Sequence, residues 1–168
     1  VFTHFDNNAR VWIYGFSKPL SDENMELVKS YMKDFTRGWV SHGDQVLGDF
    51  EIIEKRFVFL VAENTLSGCS IDGSVDLFRK INALHGLDAL NQNLIFYRDK
   101  SGTIQCCDRL SFQREVQQGR IDESTPVFDL SFASLGDLRK RRFELPAGES
   151  WHGRVFNIPA GKGDEVTG

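Results

Sequence analysis

The chain is short of the features that most quickly assign a function. Its 168 residues include only three cysteines, Cys69, Cys106 and Cys107. No C-x-x-C occurs, and two of the three are sequence neighbours, so a secreted disulfide framework is excluded and a reducing compartment, the cytoplasm, is expected. The first five residues, Val-Phe-Thr-His-Phe, lack the basic-then-apolar order of a secretory leader. The longest apolar run, Phe57 to Ala62, is far below the ~20 residues that cross a bilayer, so no membrane partner is expected. An excess of basic residues is also missing. Twenty Lys and Arg stand against 24 Asp and Glu, a formal charge of −4, which argues against nucleic acid as a partner.

Phosphate and hydrolase signatures are absent too. Gly148 and Gly153 have the spacing of a Walker A loop, but Arg154 and Val155 follow where Lys and Ser or Thr are required. The lysine that reaches the phosphates and the hydroxyl that holds Mg²⁺ are therefore lacking. No G-x-G-x-x-G, G-x-S-x-G or H-E-x-x-H occurs. No cofactor is implied, and no metal site is expected.

What is present is the composition of a folded domain: 40% hydrophobic and 26% charged residues. One domain over residues 1–156 is expected, followed by a glycine- and proline-containing flexible tail over 157–168. Val11–Tyr14 reads as a strand, closed by Gly15. Ser21, Asp22 and Glu23 then announce a helix, and Met25, Val28, Tyr31, Met32, Phe35 and Trp39 recur at its period. Phe50–Glu54 has a mixed strand pattern. Phe57–Ala62, apolar on both faces, reads as a central strand covered on two sides. Ser70 or Asp72 can cap a second helix striped by Val75, Phe78, Ile81 and Leu84. Leu94–Tyr97 is a further strand, joined through the turn chemistry of Asp99–Gly102 to Thr103–Cys107.

This order predicts an α+β two-layer sandwich with a ferredoxin-like βαββαβ core, an added hairpin strand and a C-terminal α/β extension. Val11–Tyr14 and Phe57–Ala62 would be neighbours in the middle of its sheet. Past residue 108 the pattern predicts a helix near Phe112–Gln118, a strand near Val127–Leu130, and a helix capped by Ser134 that ends in Arg139–Arg142.

Ser67-Gly68-Cys69-Ser70-Ile71-Asp72 is the stretch with most chemical promise. A cysteine just before a helix meets unpaired N–H groups and the positive dipole end, which together stabilise a thiolate or bind an anion. The plainer account is that Gly68 makes the turn, Ser70 and Asp72 cap the helix, and Cys69 is a small buried hydrophobe. His42, three residues after Trp39, and His152, within Glu149-Ser150-Trp151-His152, each pair an imidazole with a tryptophan beside a glycine. Such a pairing suits a cleft wall with a polar tip, and suits a half-buried anchor equally well.

The Ser-Gly-Cys-Ser-Ile-Asp string and the terminal Glu-Ser-Trp-His, together with Arg10–Tyr14, Leu20–Glu23, Trp39 and His42-Gly43, carry a resemblance. Over about Asn8 to Phe156 the chain resembles a family of small bacterial proteins often labelled "ABC transporter ATPase". The resemblance implies candidate positions and no mechanism, and the transporter label conflicts with the missing Walker A residues. Gly73, the glycine-rich tail and the Cys106-Cys107 pair depart from the family pattern.

Two readings of function follow. In the first the chain is a binding domain for a small molecule or a protein. Its cleft would be lined by Trp39, His42, Gly68, Cys69, Ser70, Asp72, Glu149, Ser150, Trp151 and His152. In the second it is a thiol-dependent or metal-assisted hydrolase or transferase, with Cys69 as nucleophile and His42 or His152 as base. Binding ranks first, because catalysis needs a geometry that no spacing here supplies.

Overall fold

A computed structural model describes residues 2–63 and 69–159, and over 69–72 it describes the helical backbone alone. The chain is of mixed α and β structure. It divides into two compact units: Val1–Asn91 with Leu130–Arg141, and Gln92–Asp129 with Arg142–Gly168. Among the described residues no helix is long and apolar enough to cross a membrane.

The first unit opens with strand β1 (Arg10–Gly15) and helix α1 (Asp22–Arg37). Ser21 starts the helix as expected: its Oγ accepts the Asn24 N–H at 3.1 Å, with Asp22 and Glu23 in the first turn. A two-residue hairpin follows, β2 (Val40–Ser41) and β3 (Asp44–Gln45), and then β4 (Gly48–Ile53) and β5 (Phe57–Ala62). Helix α2 (Cys69–His85) comes next. The sheet has the order β1-β5-β4, all antiparallel. All six residues of β5 are buried, which fits its apolar run. Val58, Leu60 and Ala62 share one core with Val28 and Met32 of α1 and Phe78 and Ile81 of α2. Helices thus cover one sheet face, as the period of three to four predicts. Helix α4 (Leu135–Lys140) completes the unit from far along the chain. Ser134 caps it through the Asp137 N–H at 3.2 Å, and Arg139 donates to the Phe2 and Phe5 carbonyls. The basic run near 139–142 is therefore partly spent on holding the N-terminal segment.

The second unit holds β6 (Leu94–Arg98), β7 (Ile104–Asp108), α3 (Arg109–Gln117), β8 (Pro126–Phe128) and β9 (Glu144–Pro146). A 3₁₀ turn at Ala147–Glu149 leads to the short α5 (Trp151–Val155). The sheet order is β7-β6-β8-β9. Ile95, Phe112, Val116, Ile121, Val127 and Phe156 form a separate core. Of the segment read as a tail, Ile158 packs against that core, and its N–H donates to the Gly153 carbonyl at 3.1 Å. Residues 160–168 lie outside those described.

The strand pairing departs from the ferredoxin-like expectation in one place. β5 is central and β1 is its neighbour, but β1 stands at the edge of a three-stranded sheet. The missing partner is β6, and local chemistry explains why. The Asp99 carboxylate accepts the N–H groups of Ser101 and Thr103, and Gly102 takes a φ of +84°. This turn folds β6 onto β7, and β8 takes the other side, so β6 has no edge left for β1. The free side of β1 is met by the segment before α4: Val11 N–H donates to the Ala133 carbonyl, and Arg10 bridges Ser134.

Candidate functional site

The residues singled out from sequence fall into two groups, one in each unit. In the first unit Trp39 follows α1 and is buried, 4% exposed, rather than forming an open wall. Its ring lies 4.8 Å from Phe35 and 5.9 Å from Trp12. Gly48 lies against it so closely that a Cβ there would sit 2.8 Å from the indole. Among the described residues the indole N–H has no hydrogen-bond partner. His42 is exposed at the tip of the β2–β3 hairpin, with φ values of 51° at His42 and 84° at Gly43. Two successive positive φ angles are the requirement of the tightest hairpin turns, so His42-Gly43 is accounted for by backbone geometry. Cys69 opens α2, which packs against both α1 and β2. Gly68 and the side chains of Cys69, Ser70 and Asp72 lie outside the described residues.

In the second unit Ser150, Trp151 and His152 are brought together, but as packing. His152 is 1% exposed, and its Nδ1 shares a 2.7 Å hydrogen bond with Ser150 Oγ. Trp151 stacks on the imidazole at 3.7 Å, and Phe112 lies 6.1 Å away. Burial pushes the imidazole pKa down from 6.5 to about 4; Asp129 opposes the shift and Arg109 adds to it. A general base works best with a pKa near the operating pH and access to its substrate, and His152 has neither. Glu149 is exposed and pairs with Arg142 at 2.6 Å. Gly153 is needed because a Cβ would meet the Ala147 carbonyl oxygen at 2.7 Å. The Glu-Ser-Trp-His string is thus the joint of a short helix.

Cys106 and Cys107, neighbours on β7, are both partly buried. Burial raises the Cys107 pKa to about 11, with Asp108, Cys106 and Glu115 adding to it. Such a thiol is a poor nucleophile at neutral pH. Among the described residues no group of three or more His, Cys, Asp or Glu is placed to hold a metal ion.

Sequence reasoning missed a groove of about 500 Å³ in the first unit. Lys33, Thr36 and Arg37 of α1 form one wall and residues 45–50 the other. Thr36 is committed to the Met32 carbonyl at 2.9 Å. Lys33 and Arg37 are exposed and enter no ion pair among the described residues. Asp49 is the one carboxylate in the lining, and it accepts the Phe50 N–H at 2.8 Å. The signal was present as two cations four residues apart on a polar helix face, a spacing that costs an isolated helix a few tenths of a kcal/mol. No family model, curated protein or solved structure matches the chain.

Proposed function

We propose that the protein is a binding module whose recognition surface is the groove between α1 and β4, and that its ligand carries negative charge. The observation that carries this reading is the pair Lys33 and Arg37, which enter no ion pair among the described residues and stand in the wall of a groove of about 500 Å³ on a chain of net charge −4. Lys29, Lys55 and Arg79 of the same unit pair with carboxylates, and what sets Lys33 and Arg37 apart is that they stand together, one turn apart, in the wall of a groove. Arg37 also gains from the helix C-terminus, but Lys33 lies a full turn earlier. The groove adjoins Trp39 through Gly48, and Gln45 of the hairpin tipped by His42 contributes to its lining. The proposal keeps a binding role but moves its surface from the expected cleft of Trp39, His42, the Cys69 loop and Trp151-His152 to the groove beside Trp39.

The catalytic alternative has less support. His42 is a turn residue in solvent and His152 a neutral core imidazole, and among the described residues neither is held against a nucleophile. A cytoplasmic setting belongs to the same proposal, supported by the low cysteine content and the lack of a C-x-x-C in the sequence.

The test is an NMR titration of the full chain with glutarate, a small dicarboxylate. Amide shifts confined to residues 33–37 and 45–50, and lost in the Lys33→Glu/Arg37→Glu variant, are expected. Absence of any localised shift up to about 20 mM glutarate would remove the proposal, because even weak specific sites have millimolar affinity.

A further inference from the structure

The groove runs alongside an open sheet edge, and the two features together name a partner. Glu63 N–H donates to the Leu47 carbonyl at 3.1 Å, which makes residues 47 and 63 a hydrogen-bonded pair. The register Asp49↔Val61, Glu51↔Phe59 and Ile53↔Phe57 continues that pairing in steps of two. The odd-numbered residues of β4 therefore bond to β5. The N–H and C=O groups of Gly48, Phe50 and Ile52 point away from β5, to the side where no described strand pairs. Phe50 confirms the direction, since its N–H is held by its own neighbour, the Asp49 carboxylate.

Side-chain direction adds the second element. Phe50 and Ile52 pack on the same core as Leu60 and Val58, the face covered by α1 and α2. In an added strand, every second side chain would stand on that face, where α1 presents Lys33 and Arg37. We infer that the β4 edge takes up an extended acidic peptide by strand addition, with alternate carboxylates reaching Lys33 and Arg37. This rests on the groove being the binding surface and adds the class of partner and its mode. The complementarity is one of charge: two unpaired cations line the groove, against one carboxylate already engaged on the backbone. Asp49 then acts as the occupant of the edge in the free protein. Its carboxylate holds the Phe50 N–H that a peptide carbonyl would take, and it repels acidic side chains.

The probe is a fluorescein-labelled hexapeptide of alternating Glu and Val, acetylated and amidated, with an alternating Lys and Val peptide as control. Full-length protein should bind the first peptide and not the second. Charge reversal in Lys33→Glu/Arg37→Glu should weaken binding by about tenfold or more, and salt should weaken it in the wild type. Asp49→Ala should strengthen it by about twofold to fivefold, because it removes an internal competitor and a like charge. Amide exchange should slow at Gly48, Phe50 and Ile52 on peptide addition. N-methylation of alternate peptide amides should abolish binding in one of its two registers.

Five results overturn the inference. If N-methylation of either register leaves binding unchanged, the contact is charge alone and no strand is added. If the Lys and Val peptide binds equally well, the acidic partner is wrong. If exchange at the even-numbered residues slows with protein concentration in the absence of peptide, and sedimentation shows a dimer, the occupant is a second copy of the chain. If glutarate shifts the groove residues while the Glu and Val peptide leaves Gly48, Phe50 and Ile52 unprotected, strand addition falls and the anion-binding groove stands. Silence towards both probes removes both readings.

Discussion

The two units treat their polar groups differently. In the second, several charges and the imidazole are spent on structure. Arg98 forks onto Glu144 and donates to the Gly102 carbonyl, Arg120 pairs with Glu115, and His152 is sealed under Trp151 beside Ser150. Asp99 accepts from the Ser101 hydroxyl and the Gln105 amide, Asp122 from the Ser124 hydroxyl, and both also from backbone N–H groups in turns, while Asp108 holds the Ser111 N–H at a helix cap; these bonds lower their pKa values. The first unit has ion pairs as well, yet among the described residues Lys33 and Arg37 stand unpaired over a groove and the Trp39 N–H has no partner. Satisfied polar groups make a scaffold, and unsatisfied ones at a concave surface invite a ligand. That contrast supports the proposal of recognition in the first unit, which also holds Ser67–Asp72, the stretch of most chemical promise in the sequence, whereas Glu149–His152 lies in the second.

The contrast can be probed in order of effect. Phe112 has no exposed surface and touches Tyr97, His152 and Phe156. Phe112→Ala should cost about 3–5 kcal/mol in urea unfolding, as for other large core aromatics. A loss under 1 kcal/mol would mean that the second core does not act as a scaffold.

Acid is the next lever. His152 titrates at about 4 in the folded protein against about 6.5 when unfolded, so between those values the unfolded chain binds the extra proton. Its contribution is fully present above pH 6.5 and is lost as pH falls towards 4, by no more than about 3 kcal/mol. His152→Phe should flatten that part of the stability profile. The carboxylates with lowered pKa values act in a separate window, keeping their contribution above the usual carboxylate range and losing it below. An unchanged slope between pH 6.5 and 4.5 in the variant would show that His152 is not the buried neutral group described.

The smallest effects separate the two sets of cations. Arg98 is partly buried on Glu144 and lies over the Phe128 ring at 5.4 Å. Arg98→Ala should cost about 1 kcal/mol, an exposed pair being worth less and a packed stem adding to it. Lys33→Ala and Arg37→Ala should stay within about 0.5 kcal/mol of the parent in thermal unfolding. If these two also destabilise by 1 kcal/mol or more, they are structural, and the reading of the groove loses its basis.

Local chemistry was legible in the sequence and long-range pairing was not. Ser21 and Ser134 cap the helices they were expected to cap, and the doubly apolar Phe57–Ala62 is the buried central strand. Each depends on neighbours within four residues or on a simple period. Helix α3 begins three residues before Phe112 because Asp108 caps it, accepting the Ser111 N–H at 2.7 Å, a cap signal overlooked beside the cysteines. The sheet to which Leu94–Tyr97 belongs turned on competition between a hairpin partner and a distant edge, and residue types do not state the outcome. Similarly, nothing in Glu149–His152 says whether its imidazole faces a cleft or a core; burial decides, and burial comes from the whole fold.

The path of the chain through the two units has a consequence for synthesis. Residues 130–141 return to the first unit with Phe132 and Leu135 buried and Arg139 fastening the N-terminal segment, after 38 residues (Gln92–Asp129) have gone to the second. A ribosome delivers those last pieces of the first unit only after β6, β7, α3 and β8 have left the exit tunnel. A nascent chain ending near residue 91 thus presents a sheet whose β1 edge is still open, and no single cut of the gene releases either unit whole. Exposure of that edge lasts for the translation of about forty codons, a few seconds at ordinary elongation rates.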